Sequence, residues 1–143
     1  MNPSTVSLIF AIALTSAASS SWASNWVSID YKPTNEATTY VDTDSIMVSK
    51  GLVQFLVKQS FSTPQAAGNG KSYDYLIMGT AANCQERSLA MTNGQAFSRD
   101  GTIVDSMTVP ASKLKFDKVD PDTTGAQELE LVCGKARSQH STE

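Results

Sequence analysis

The chain has 143 residues, 41% of them hydrophobic, and a formal net charge of −3. This mild acidic excess argues against the nucleic-acid binders that present a concentrated basic face. A chain of this size buries roughly two-thirds of its unfolded surface, so one domain that folds unaided is expected.

The N-terminal segment has the pattern of a secretory signal peptide. Residues 6–18 form an uncharged run of about 13 residues, shorter than the roughly 20 needed to span a bilayer. Ser21 and Ala23 then provide small residues at the positions that signal peptidases recognise. No Lys or Arg precedes the run, and the alternative is an uncleaved anchor. We predict a signal peptide at residues 1–23 and a single domain at residues 24–143.

This leader places the mature domain outside the cytoplasm, either secreted or periplasmic. No second long apolar run follows, so we expect no membrane insertion after cleavage. No cysteine follows Ala23 directly, so the lipid attachment of bacterial lipoproteins is not expected either.

Cys84 and Cys133 are the two cysteines of the chain. In an oxidising compartment they most simply pair with each other. Closing a loop of roughly 50 residues would contribute about 4 kcal/mol of stability in the chain-entropy model. The alternatives are a free thiol and a metal pair, although two cysteines with one distant histidine make a poor tetrahedral site. We therefore predict a disulfide.

Short extended runs, several of them rich in β-branched and aromatic residues, dominate the first half of the mature chain. They lie at residues 26–29, 38–41, 46–49 and 52–61. Residues 42–45 are predicted to turn, because Asp and Ser side chains bond their own backbone there. Lys50-Gly51 has the pattern of a hairpin turn. Residues 62–70 are predicted to form an exposed, mobile loop.

The next segment continues the strand pattern. Residues 72–91 form the longest extended stretch, which we expect to break or bulge at residues 79–83. Asn93-Gly94 and Asp100-Gly101 both have the composition of two-residue hairpin turns, and residues 102–109 follow as a return strand. Many short strands with turns at this spacing predict an antiparallel sheet.

The last element is predicted to be an α-helix. Thr124 begins a T-x-x-Q capping box, and Gly134 is placed to end the helix after about three turns. Ala126, Leu129, Val132 and Cys133 fall at helical spacing. The alternative is a strand, because residues 128–131 alternate with period two. With a helix here and Cys84 in the middle of the sheet, the disulfide would tie the helix to one sheet face.

The sequence predicts no catalytic, cofactor-binding or metal-binding residues. Residues 68–72 lack the first glycine of a phosphate-binding loop. Asp42 and Asp44 lack the glycine and the terminal glutamate of a calcium loop. His140, the sole histidine, lies in the polar tail, where packing cannot position it as a catalytic base. We therefore predict a non-enzymatic protein without cofactors.

One small basic cluster is a candidate site for an anionic ligand. Lys113, Lys115 and Lys118 lie close together in the sequence, the first two on one face of an extended segment. Such a cluster fits an anionic polymer such as a glycosaminoglycan. The alternative is a set of solvated lysines that protects a sheet edge.

The aromatic residues offer a second candidate surface. They are Trp26, Tyr31, Tyr40, Tyr73 and Tyr75. Aromatic side chains in strands usually fill the core, so packing is the default expectation.

Several segments, taken in order, carry a family resemblance. They are Trp26, the Tyr-Val-Asp-Thr-Asp-Ser-Ile run at residues 40–46, a strand that ends at Asn83-Cys84, the hairpin at residues 100–106, and residues 121–133 with their final cysteine. Together they resemble the bacterial surface-adhesin protein E family, over almost all of residues 26–134. Each motif is weak alone, and the order of the motifs makes the resemblance specific.

The resemblance implies an α+β fold, with an antiparallel sheet of about six strands and a C-terminal helix tethered by the disulfide. It also implies a non-enzymatic surface protein, in the founding case a dimeric adhesin for host matrix and plasma proteins. Our first hypothesis is an exported, adhesin-like module that binds extracellular or envelope proteins or polysaccharides. The alternative is a periplasmic envelope accessory protein that binds an endogenous partner or small ligand.

Overall fold

The computed structural model describes residues 24–30 and 36–141. The predicted leader, its cleavage site and Tyr31 lie outside the described residues. The described chain forms one antiparallel sheet whose strands follow chain order, with a short last strand paired to β5. The strands are β1 (Trp26–Ser28), β2 (Ala37–Ser49), β3 (Leu52–Ala66), β4 (Ser72–Asn83), β5 (Ser88–Phe97), β6 (Ile103–Thr108) and β7 (Asp117–Lys118). A short 3₁₀ helix (Ala111–Lys113) precedes β7, and α1 (Thr124–His140) ends the fold.

The helix packs on one face of the sheet and forms the core with it. Leu129 and Val132 on α1 are 1% and 0% exposed, and Val41 and Phe55 on the sheet are 0% and 3% exposed. Burying one such side chain stabilises the fold by about 1.5–3 kcal/mol. The predicted α+β architecture is confirmed.

The start and end of α1 differ from the prediction. Thr123, one residue earlier than predicted, is the N-cap: its backbone is extended and its Oγ1 accepts a hydrogen bond from the Ala126 N–H at 3.2 Å. Gly134 does not end the helix, which continues to His140. Ala136 is 5% exposed, so the apolar stripe continues past the glycine and keeps this segment on the sheet.

The Cys84–Cys133 disulfide is present, with the two Cα atoms 5.9 Å apart. Cys133 lies on the buried face of α1. Cys84 does not lie in the middle of the sheet as predicted. It directly follows β4, in the turn to β5, so the bond fastens the helix to the end of a strand pair.

The predicted turn at residues 42–45 is wrong. Asp42 Oδ1 accepts from the Asp44 N–H at 3.1 Å, which is the expected local bond. However, Ser45 Oγ accepts from the Leu56 N–H at 2.8 Å and so keeps the segment attached to β3. The result is a bulge inside one long strand β2, where the register with β3 shifts between Asp42 and Met47.

The hairpin predictions have mixed outcomes. Lys50 and Gly51 have φ values of 53° and 77°, as a type I′ turn between β2 and β3 requires. Gly101, with φ 88°, confirms the turn between β5 and β6. Asn93-Gly94 instead lies inside β5, because both residues pair with β4 and β6.

Two boundaries between strands and loops also differ from the prediction. Strand β3 continues through Ala66, so most of the predicted loop at residues 62–70 belongs to a strand and either pairs with β4 or lies in a register shift. The predicted long strand at residues 72–91 is interrupted by a turn at residues 84–87. The expected irregularity near Gly79 is a bulge, since the register with β5 shifts between Gly79 and Thr80.

Candidate binding surface

Cross-strand pairing gathers aromatic side chains on the sheet face opposite α1. Tyr40 pairs with Lys58 and Lys58 with Ile77, while the neighbouring residues Val41 and Val57 point into the core. We call this group the aromatic patch; its members are Trp26, Tyr40, Lys58, Tyr75, Ile77 and Phe97. All six are half-buried, so each retains accessible surface.

Lys58 is the charge at the centre of one half of the patch. Its Nζ lies 5.0 Å from the ring centroid of Trp26 and 4.9 Å from that of Tyr40. Both distances are in the range of a cation–π interaction, which contributes about 0.5–1 kcal/mol at an exposed site. The ammonium group is therefore held between two rings while it remains partly exposed.

The other half of the patch is a stacked ring pair. Tyr75 and Phe97 are direct cross-strand partners, and their ring centroids lie 4.9 Å apart at an interplanar angle of 5°. A depression of about 260 Å³ separates this pair from the lysine half, lined by Trp26, Lys58, Ser60, Tyr75 and Ile77. The expectation that the aromatic residues fill the core is wrong for Trp26, Tyr40 and Tyr75, because they lie on the sheet face opposite α1, whereas the core face is filled by α1, aliphatic residues and Phe55.

The sequence pattern did not indicate Lys58 and Phe97 as members of this surface. Lys58 lies in the predicted strand at residues 52–61, whereas Phe97 lies between the two predicted hairpin turns, and alternation indicates only which of their neighbours share a face. Their proximity to Tyr40 and Tyr75 depends on strand register, for which the local sequence carries no clear pattern.

The three lysines of the basic cluster are all exposed, but they do not share an extended segment. Lys113 ends the 3₁₀ helix, whereas Lys118 lies in β7. Lys115 Nζ lies 3.2 Å from Asp117 Oδ1, an ion pair that partly neutralises the cluster. The cluster lies where β7 extends the sheet beside β5, as lysines that protect an edge would.

A polar cavity of about 370 Å³ lies between the first turns of α1 and the sheet. Its lining includes Asp30, Thr39, Gln59 and Glu128. The Asp30 carboxylate is hydrogen-bonded to the backbone, because both of its oxygens accept from the Thr39 N–H, at 2.9 and 3.1 Å. Burial raises the pKa of Glu128 to about 7.

Within residues 24–30 and 36–141, no group of three or more His, Cys, Asp or Glu side chains could hold a metal ion. His140 is exposed at the end of α1. In the same part of the chain, no helix is long and apolar enough to cross a membrane.

The amino-acid sequence matches one known protein family. The family model of surface-adhesin protein E matches residues 26–134, which is most of the chain. The chain belongs to the surface-adhesin protein E family. The family match covers the whole aromatic patch and both cysteines. No curated protein sequence matches the chain.

Solved structures of one family member share the fold. Crystal form II of Haemophilus influenzae protein E is 17% identical, with a TM-score of 0.54, and the match covers 69% of this chain and 82% of that chain. Protein E from non-typeable Haemophilus influenzae is 16% identical, with a TM-score of 0.55, covering 82% of this chain and 89% of that one. At this identity the likeness establishes the fold.

Proposed function

We propose that this chain is an exported, adhesin-like module that binds an extracellular protein through the aromatic patch. Membership of the surface-adhesin protein E family supports the adhesin role. The predicted signal peptide at residues 1–23 supplies the export route, and the Cys84–Cys133 bond suits an oxidising compartment. No enzymatic role is proposed.

The observation that carries the proposal is that all six side chains of the aromatic patch remain partly exposed on the sheet face opposite α1. Tyr and Trp side chains at the centre of an interface contribute large, rigid contact areas with few rotatable bonds. Lys58 between two rings and the adjacent Tyr75–Phe97 stack give such a surface both an apolar area and one positive charge. A partner with apolar side chains around a carboxylate would complement it.

Binding to immobilised matrix and plasma proteins tests the proposal. Saturable binding of the purified domain is expected, and the double variant K58Q/F97S should weaken it by about tenfold or more. The matched control is K113Q/K115Q/K118Q, which changes three exposed lysines away from the patch. Equal binding by the patch variant and the wild type would contradict the proposal. Loss of binding in the control alone would transfer the site to the lysine cluster and an anionic polymer.

The periplasmic accessory role remains the alternative, and cell fractionation separates the two. An adhesin-like role requires the chain at the surface or in the medium. Confinement to the periplasm with a co-purifying envelope protein would favour the alternative. The resemblance to a family whose founding member is a dimeric adhesin also predicts a homodimer, which sedimentation of the purified domain tests.

A further inference from the structure

Three of the five methionines converge at one point on the α1 side of the sheet. Met78 pairs directly with Gly94, and Gly94 pairs directly with Met107, so the three residues form one row across β4, β5 and β6. The middle position has no side chain. The two methionines can therefore approach each other above Gly94.

The bulge in β5 adds the third methionine. Met91 pairs with Thr80 while Asn93 pairs with Gly79, so Thr92 is the extra residue of the strand. Residues 91 and 94 would lie on opposite faces of a regular strand, and the extra residue places them on the same face. The point where a Cβ atom of residue 94 would lie is 3.6 Å from Met107 Cγ, 3.9 Å from Met78 Cγ and 3.9 Å from Met91 Sδ.

The three side chains line a groove that is open to solvent. Its volume is about 290 Å³, and its lining is mostly apolar, with Asp105 as the single carboxylate among the lining residues. Met91 is 39% exposed and Met107 is 50% exposed. Methionines that only fill a core would be buried, so the exposure of these two is not explained by packing.

We propose that Met78, Met91 and Met107 form a thioether site for a soft monovalent metal ion, Cu(I). Thioether sulfur is a soft, polarizable ligand that selects Cu(I) over hard cations. Three rotatable bonds let each side chain turn its sulfur toward the point above Gly94. Neutral thioethers and one nearby carboxylate suit an ion of low charge. The two cysteines do not compete for the ion, because they are bonded to each other.

This site is independent of the proposed function, since it lies on the sheet face opposite the aromatic patch. The sequence pattern predicted no metal-binding residues, so this site is not indicated by the sequence alone. Neither histidine nor thiol takes part, which is why the usual ligand patterns do not indicate it.

Methionine-methyl NMR during titration with Ag(I), a redox-inert soft ion, tests the site. Saturation at one ion per chain is expected, with the methyl signals of Met78, Met91 and Met107 shifting together. Met47, which lies on β2 and is 55% exposed, is the internal control and should not shift. Equal shifts at Met47, or no shift at all, would overturn the proposal.

Variants with leucine at these positions preserve volume and so keep the fold intact. M78L and M107L should each weaken Ag(I) binding by about tenfold or more, whereas M47L should leave it unchanged. Cu(I) under ascorbate should give the same ranking, and Zn(II) should not compete. A groove that bound a small apolar molecule but no Ag(I) would also overturn the proposal.

Discussion

Lys58 Nζ lies 4.9 Å from the centroid of the Tyr40 ring, directly across the pairing of β2 and β3. This contact exists because β2 contains extra residues between Asp42 and Met47. Without that bulge, the Lys50-Gly51 turn would place Phe61 opposite Tyr40 and leave the patch without its charge. The binding surface is thus a product of strand register.

The Lys58 contacts predict a measurable stability effect. K58M should lower the free energy of unfolding by about 1 kcal/mol, because two cation–π contacts are lost while the aliphatic stem is retained. Urea denaturation of K58M and of the control K113M measures the difference. A loss in K113M as large as that in K58M would show that charge, and not the ring contacts, is responsible.

Among the single interactions considered, the disulfide should contribute most to the free energy of unfolding. C84S should lower the free energy of unfolding by about 2–5 kcal/mol and leave one free thiol at Cys133, since the closed loop no longer constrains the unfolded chain. Thiol titration and denaturation of C84S measure both effects. The wild-type protein from the extracellular or periplasmic fraction should have no free thiol, and mass spectrometry finding two would contradict the account.

Glu128 should make stability depend on pH. Its folded-state pKa of about 7 exceeds the ordinary value of 4.5, so the folded protein holds this proton more tightly than the unfolded chain. The stabilisation is present below pH 4.5 and is lost as the pH rises to about 7. E128Q should therefore be more stable than wild type by about 3 kcal/mol at pH 8 and differ little from it at pH 4.

Thermal unfolding of wild type and E128Q across this range measures the effect. E130Q is the matched control, because Glu130 is an exposed residue of the same helix. A difference between E128Q and wild type that stays constant with pH would contradict the raised pKa of Glu128.

Two substitutions test whether α1 is capped by Thr123, as in the structure, or by Thr124, as the capping-box pattern predicts. T123A should lower the free energy of unfolding by about 1 kcal/mol, because the Ala126 N–H loses its side-chain acceptor at the start of α1 and keeps only the Thr123 carbonyl. T124A, at the position that the capping-box pattern favoured, should have the smaller effect. The opposite ranking in chemical denaturation would show that the helix begins one residue later.

Features set by adjacent residues were predictable from the sequence. The turns at Lys50-Gly51 and Asp100-Gly101 follow from the need for positive φ, and the helical spacing of Leu129 and Val132 follows from the apolar stripe. The cysteine pairing followed from compartment and number. Each of these depends on local chemistry or on composition.

The features that depend on a partner strand were not predictable. Asp42 and Ser45 have the composition of a turn, and only the Ser45 bond to Leu56 shows that β3 keeps the strand extended. Asn93-Gly94 has the composition of a hairpin, yet the glycine pairs between two methionines. The aromatic patch depends on the bulge in β2 and the methionine groove on that in β5, so alternation alone indicated neither.

Chemical-shift mapping of a bound extracellular protein on the labelled domain tests the central claim most directly. We expect the largest perturbations on the backbone and side chains of Tyr40, Lys58, Tyr75 and Phe97. Perturbations confined to Lys113, Lys115 and Lys118, or to the helix side of the sheet, would contradict it.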